Sequence, residues 1–361
     1  MIHHTISVPL GERAYPIYLG SDTLGEIGQY CAKHGIPKRV VVVADRNSAR
    51  AALRPAMKSL RAAGFDAASI IIPPGERQKS IARAEAIHAA MLRLHVPRNA
   101  ALMALGGGVV GDVAGFVAST YRRGLPFVQC PTTLLSQVDS SIGGKNGVNH
   151  PLSKNAIGTF HQPVFVFSDV ALLRTLPRRE VIAGLGETLK YPIVADPPLL
   201  EFIEQRLDSL LGLETEAVLE VASRCLRVKA GLVGEDEQER LTDRGRVFLN
   251  VGHAVGHALE TLSHYALRHG EAVLLGILAE GWIAVQHEGF PHTELDRLVH
   301  LYKRLNLHYR LSRIRDGAVI KSVMGRGHAR FVLPRSLGDV RVVSDVTEKE
   351  VADGLRFMRS V

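Results

Sequence analysis

Short apolar, β-branched runs alternate with segments of helical spacing through the first half of the chain, and this alternation most constrains its fold. The runs are Thr5 to Val8, Tyr15 to Leu19, Arg39 to Ala44, Ala68 to Ile72, Ala100 to Leu105 and Phe127 to Cys130. Apolar residues recur at helical spacing near 21–33, 48–63 and 80–94. Strands that alternate with helices pair in parallel, with the helices flanking the sheet. From Leu176 onward the pattern changes. Residues 178–310 read as successive amphipathic helices, and only Ala329 to Leu333 and Val340 to Val343 predict a late hairpin, joined through Pro334 to Gly338. We therefore expect an α/β Rossmann-like N-terminal domain over 1–176 and a mainly α-helical C-terminal domain over 177–361. The cleft between two such halves is the default place for a site. At 361 residues and 46% hydrophobic, the chain is long enough for both cores.

Several classes of protein drop out. The longest apolar stretches, such as Val40 to Ala44 and Ala272 to Ala279, fall far short of the roughly 18 residues a membrane-spanning helix needs. The N-terminus MIHHTISVPLGERAYPI has neither a secretory nor a transit pattern, and reads as cytoplasmic. Cys31, Cys130 and Cys225 are scattered, which argues against a disulfide framework or a thiolate zinc site. The net charge of +8 fits nucleic acid, an acidic membrane surface or a multiply anionic small substrate. Its basic residues form no block of five or more, so a nucleic-acid tail is not visible.

Ala100 to Leu105 runs directly into Gly106-Gly107-Gly108-Val109-Val110-Gly111-Asp112, and then into a helix-like segment. Glycines at such a turn let the backbone approach a pyrophosphate, whose charge meets N–H groups at the helix start. The string matches G-x-G-x-x-G. It follows several earlier strands, however, and no Asp or Glu occurs between Val113 and Val138 to take a ribose. A dinucleotide site here would be of another design, with Asp45 and the segment Pro73 to Lys79 as ribose or adenine contacts.

Gln129 to Gln162 is too polar and glycine-rich for one regular element and too long for an idle connector. It concentrates Asp139, Lys145, Asn149, Lys154 and Asn155, groups that bind anions and hydroxyls. In the helical half, Glu187 and Lys190 are three residues apart and share a helix face. His253 and His257 stand one turn apart, and His269 opens HGEAV. Imidazoles with a carboxylate are the ligand set for zinc or a similar ion. Spacing alone pairs His253 with His257 and leaves Glu187 or His269 third. A metalloprotease is disfavoured, because Ala254 stands where its catalytic Glu would be.

These residues lie in longer motifs: LGERAYPI, PPGERQKS, ALGGGVVGDVAGFVASTYRRG, PTTLLSQVDSSIGGKNGVNHPLSKNAIGTFHQP, TLPRRE, AGLGETLKY, LNVGHAVGHALE and HGEAV. In this order and over nearly the whole length, the chain resembles the 3-dehydroquinate synthases of the sugar-phosphate cyclase superfamily. The resemblance implies a dehydroquinate synthase-like fold and the shikimate-pathway reaction. A seven-carbon keto acid phosphate is oxidised transiently by NAD, loses phosphate, is re-reduced and closes by an intramolecular aldol step. It implies metal ligands Glu187, His253 and His269 for zinc or cobalt, with His257 turned to the substrate phosphate instead. NAD would be held by Asp45, Glu76, Lys79, the turn Gly108, Val109, Val110, Gly111 and Asp112, and Thr132 and Thr133. Lys145, Lys154 and the segment Leu172, Leu173, Arg174 and Thr175 complete that set. Substrate would meet Asp139, Lys145, Asn155, Lys190 and Lys229, together with Arg246, Asn250 and His257. The resemblance also implies a homodimer, with Arg123 supplied from the other subunit.

The sequence departs from the family at several points. Most members carry Asp-Lys-Lys shortly before the late R-F-V-L-P run, where a lysine helps bind phosphate; here the positions are about Lys321-Ser322-Val323. Asn146 replaces the usual Thr, and Ser153, Gly186 and Pro192 are further departures. Gly186 inside a helix should destabilise by about 1 kcal/mol relative to Ala unless close packing requires it. Two alternatives follow: a sister cyclase acting on a heptulose phosphate without the carboxylate, and a metal-dependent polyol dehydrogenase. Lys229 and Arg246 are both kept, which favours the carboxylated substrate.

Overall fold

The computed structural model describes residues 1–307, 311–325 and 329–361. Contacts divide the chain into two units, one of residues 1–177 and 213–238, the other of residues 178–212 and 239–361.

The first unit is built on a sheet of seven strands among the described residues. These are β1 (Ile2–Val8), β2 (Tyr15–Gly20), β3 (Arg39–Asp45), β4 (Asp66–Ile72), β5 (Ala100–Gly106), β6 (Phe127–Pro131) and, after a separate hairpin of β7 (Lys145–His150) and β8 (Ser153–Phe160), β9 (Phe165–Asp169). The order is β1-β2-β9-β6-β5-β3-β4, with only β1 and β2 antiparallel. The expected parallel sheet is therefore present. β5 and the interior of β3 are apolar at every position because both faces are covered. Val40, Val42 and Ala44 join Ile27, Leu60 and Met103 on one face. Val41 and Val43 join Ile87, Leu102 and Val113 on the other.

The polar segment Gln129 to Gln162 folds as the end of β6, a tight turn over Ser136–Ser140 and the β7–β8 hairpin. Asn146 explains how so glycine-rich a stretch holds together. Its side-chain amide donates to the carbonyls of Gly144 at 2.8 Å and His161 at 2.9 Å, tying the two ends of the hairpin. The sequence reading placed residues 213–238 in the helical half, whereas their contacts put them in the first unit. The helix Thr215–Glu235 packs on β1, β2 and the Ser136–Ser140 turn. Its apolar stripe predicts a helix, but periodicity says nothing about which sheet or helix covers it.

Among its described residues, the second unit is helical apart from a hairpin of β10 (Phe331–Ser336) and β11 (Asp339–Val343), as the late pattern predicts. Its central element is the helix His269–His287, nearly all of it buried. The helices Arg178–Thr188, His253–Leu262, His292–Leu305 and Glu348–Ser360 pack around it. Among the described residues, no helix is long and apolar enough to cross a membrane.

Candidate active site

In the first unit the connections reverse between β3 and β5: β3 leads to β4 on one side, β5 to β6 on the other. Open α/β sheets take ligands at the carboxyl ends of such a strand pair. Here those ends are Asp45 and Gly106. Asp45 Oδ1 caps the next turn, accepting from the N–H groups of Asn47 and Ser48, each at 2.8 Å. The helix Gly108–Thr120 starts at Gly107 with no side chain capping its leading N–H groups. Thr132 and Thr133 lie against this turn. The Thr132 N–H donates to Gly106 at 2.9 Å, and a Cβ on Gly107 would meet the Thr133 methyl at 2.9 Å. The bare backbone fits a pyrophosphate.

Further candidates gather on the same helix. Lys79 is buried, with Nζ 2.5 Å from Asp112 Oδ2. Burial pushes the Asp112 carboxyl up, and Lys79 draws it back. The amide of Asn149 donates to Glu76 at 2.8 Å, and its Oδ1 accepts from the Asn155 N–H at 3.0 Å, so the hairpin tip is docked on the Glu76–Lys79 segment. Lys154 adds positive potential at Asp112. Lys145 is exposed at the start of β7. Lys229 is buried, its ammonium 2.9 Å from Asp139 Oδ2 and donating to the Asp139 carbonyl at 2.7 Å.

Arg174 forms an exposed bridge to Asp22 at 3.1 Å, while Thr175 bonds back to Leu172 within its own turn, after buried Leu173. Arg123 lies beyond the far end of the helix Gly108–Thr120, whose thirteen residues span about 20 Å. It is therefore remote from the glycine turn of its own chain.

In the second unit, the His269–His287 helix meets two others at glycines. A Cβ on Gly186 would lie 2.0 Å from the Gly270 carbonyl oxygen, and one on Gly276 would lie 1.9 Å from that of Gly252. Each contact sits beside a functional side chain: Glu187 follows Gly186, His253 follows Gly252 and His269 precedes Gly270. The close approach brings His253 Nε2 to 3.7 Å and His269 Nε2 to 3.1 Å from Glu187 Oε1. One ligand atom from each of His253, His257 and His269 falls within 4.8 Å of the others. The structure thus brings together both triads read from the sequence, and His257 is the most exposed of the three histidines.

Protons settle what this cluster can do. His253 Nδ1 donates to the Val251 carbonyl at 2.9 Å, and His269 Nδ1 to Glu260 Oε2 at 3.0 Å. Neutral rings so fixed turn Nε2 lone pairs toward Glu187 Oε1. That oxygen is buried without a hydrogen bond, while Oε2 accepts from Lys190 at 2.5 Å. Burial alone would raise the Glu187 carboxyl, but the Lys190 ammonium beside it holds it well below the usual range. Burial drives His253 down to about 4, against the pull of Glu187, so it stays a neutral imidazole. Lone pairs converging with no proton among them fit a divalent cation with N and O donors.

Arg246 is buried, and the Asn250 amide donates to Glu239 at 3.0 Å on the approach to the His253–Leu262 helix. Sequence reasoning missed two carboxylates. Glu260 orients His269, and its spacing of seven from His253 on one helix was the available signal. Glu280 is buried, and its oxygens accept from the N–H groups of Gly252 and Val255, each at 2.9 Å. Burial pushes its carboxyl up to about 8, while the N–H groups of Val255, Gly252 and Ala254 pull it down.

Comparison with known proteins agrees with this geometry. A 3-dehydroquinate synthase of Desulforamulus reducens is 42% identical over 354 residues, covering 96% of this chain and 98% of the relative. One from Nostoc sp. is 40% identical over 362 residues, covering 98% and 99%. Among solved structures, 2-epi-5-epi-valiolone synthase of Streptomyces hygroscopicus subsp. jinggangensis 5008, with NAD+ and Zn2+ bound, matches at 28% identity with a TM-score of 0.86, covering 96% of this chain and 97% of that one. Residues 69–183 match the 3-dehydroquinate synthase N-terminal family and residues 184–325 its C-terminal counterpart, so this chain belongs to the 3-dehydroquinate synthase family.

Proposed function

We propose that the chain converts 3-deoxy-D-arabino-heptulosonate 7-phosphate to 3-dehydroquinate and inorganic phosphate. Full-length kinship supports this reading, and one observation carries it: Glu187 Oε1, His253 Nε2 and His269 Nε2 converge beside Lys190. These three would hold a zinc or cobalt ion, with His257 left for the substrate. The Gly108 to Asp112 turn would hold NAD, with Asp45, Glu76, Lys79, Thr132, Thr133, Lys145 and Lys154 around it and the Leu172 to Thr175 segment at its margin. When bound, these groups supply reversible hydride transfer and Lewis-acid polarisation of an oxygen.

The chain's own residues bind and orient. Lys190 sits against Glu187, so it neutralises the carboxylate and presents the remaining ammonium protons to a substrate hydroxyl. Lys229 and Arg246 are buried cations suited to the substrate carboxylate, and Asp139 fixes the Lys229 ammonium in place. Lys145, Asn155, Asn250 and His257 would contribute polar contacts, the last two from the turn Gly245–Asn250 and the helix His253–Leu262. Elimination removes one C–H proton and releases phosphate. The departing phosphate carries a basic oxygen, so the task left to the chain is orientation, as it is for the aldol closure. Arg123, remote from its own glycine turn, would serve a second subunit in a homodimer. The cytoplasm supplies the NAD this chemistry needs.

A sister activity on a heptulose phosphate is favoured by the likeness to the valiolone synthase, and the retained Lys229 and Arg246 weigh against it. Purified protein with NAD and Co(II) should release phosphate from 3-deoxy-D-arabino-heptulosonate 7-phosphate without accumulating NADH. Turnover of sedoheptulose 7-phosphate instead would replace the substrate, and net NADH would point to a polyol dehydrogenase.

A further inference from the structure

The helix His253–Leu262 begins deep inside the second unit. Its first turn is buried, its N-cap is Gly252 at φ 75°, and no side chain of its own caps it. A helix start in that setting leaves N–H groups that must find acceptors within the protein. Glu280 supplies them from the neighbouring helix: Oε2 accepts from Gly252 and Oε1 from Val255, each at 2.9 Å. A third N–H, that of Ala254, also faces this carboxyl. Both oxygens are thus engaged, one on each side of His253.

Glu280 also shares a helix face with His269. Eleven residues make just over three full turns, and Gly276 and Ala272 lie on the same stripe, against Gly252 and Gly256. One face of a single helix therefore holds His269 at one end and the start of the His253 helix at the other. The glycine contacts set the distance between the two helices. The Glu280 cap sets rotation and axial register, because a carboxylate bonded to two N–H groups cannot follow a rotated helix.

Resting on the reading of His253 and His269 as metal ligands, we propose that Glu280 is a positioning residue that fixes the direction of His253 Nε2 relative to His269. It touches neither substrate nor metal and acts through the backbone on either side of His253.

The test compares Co(II) binding by the full-length wild type, Glu280→Gln and Thr347→Ala. Thr347 caps the final helix and serves as a control for stability loss alone. An amide at position 280 keeps one acceptor but presents a donor to the second N–H. Glu280→Gln should weaken Co(II) binding at least ten-fold, alter the cobalt d–d spectrum and lower kcat with little change in substrate KM. Glu280→Asp, with a carboxyl group kept, should restore part of the affinity. Thr347→Ala should lose melting temperature and keep the wild-type spectrum. Glu280→Gln that behaves like Thr347→Ala, with spectrum and affinity unchanged, overturns the proposal. If neither substitution at 280 folds, deuterium exchange of the wild type decides: Co(II) should slow exchange at residues 252–255, and indifference there overturns the proposal. Wild-type protein that binds no Co(II) overturns it together with the ligand assignment. Protein that binds Co(II) yet releases no phosphate removes only the proposed reaction, and the comparison of affinities still stands.

Discussion

Gly186 and Gly270 meet backbone to backbone, with 2.0 Å between the Gly270 oxygen and the place where a Gly186 Cβ would be. This explains a glycine that the helix itself disfavours by about 1 kcal/mol. Gly186→Ala forces the helices apart and carries Glu187 away from His269. We expect a loss of roughly 1–3 kcal/mol in stability, with weaker zinc binding; calorimetric melting and a metal titration check both. A variant more stable than wild type would remove the packing argument.

The ligand assignment makes the three histidines unequal. His269→Ala should lower zinc affinity by roughly a hundred-fold or more, whereas His257→Ala should keep the metal and impair substrate handling. Metal content after dialysis, together with steady-state kinetics, distinguishes them. Equal metal loss in both would favour the pair on one helix turn, His253 with His257.

Glu260 holds the His269 ring by its Nδ1 proton at 3.0 Å. Carboxylates in that relation to a ligand histidine typically account for about 10- to 100-fold in metal affinity. Glu260→Gln should fall in that range by competition with a chelator. An unchanged affinity would show that the ring is oriented by packing alone.

Lys229 and Asp139 form a pair whose lysine is almost fully buried. Removing the lysine takes the ammonium away from the Asp139 carboxylate, a loss of up to about 3–5 kcal/mol for buried pairs. Lys229→Met should therefore lower melting temperature as well as kcat/KM. Adding Asp139→Asn should recover part of the stability while activity stays low, a split readable from thermal melts and phosphate release.

His287 links the central helix to the last one, with Nδ1 3.0 Å from Glu350 and Nε2 3.2 Å from Asp345 and 3.8 Å from Glu288. The Glu350 hydrogen bond raises its pKa above 6.5. Burial would raise Glu350, but hydrogen bonds from Thr347 and His287 hold it below 4.5. The folded state thus holds the histidine proton more tightly than the unfolded chain, so this stabilisation is complete below pH 6.5 and fades as pH rises through the folded value. The Glu350 contribution is present above pH 4.5 and is lost as pH falls through its lowered value. His287→Gln should remove roughly 1 kcal/mol near pH 6 and less near pH 9, measured by melting across pH. A pH-independent difference would discard the electrostatic account.

Much of this was legible in the residues. Apolar runs marked the strands Arg39–Asp45 and Ala100–Gly106 most clearly, because neighbours on both sides and cover on both faces leave their interior positions apolar. The β7–β8 hairpin was not legible, since its ends are tied by Asn146 bridging carbonyls seventeen residues apart in sequence. Spacing favoured His253 with His257, because sequence displays neighbours on one helix and hides those brought together by a crossing. Glu280 sat inside an apolar run and drew no notice, for its function depends on backbone N–H groups that every sequence possesses.

The chain leaves the first unit after Pro177, returns for residues 213–238 and leaves again. During synthesis, therefore, the first unit lacks the helix that packs on β1 and carries Lys229 until residue 238 has emerged, by which time residues 178–212 of the second unit are already outside the ribosome. The two units cannot mature strictly one after the other. A fragment ending at Pro177 would expose an uncovered strand and lack a cation the proposed chemistry uses, so neither half of this protein can be recovered by a single cut.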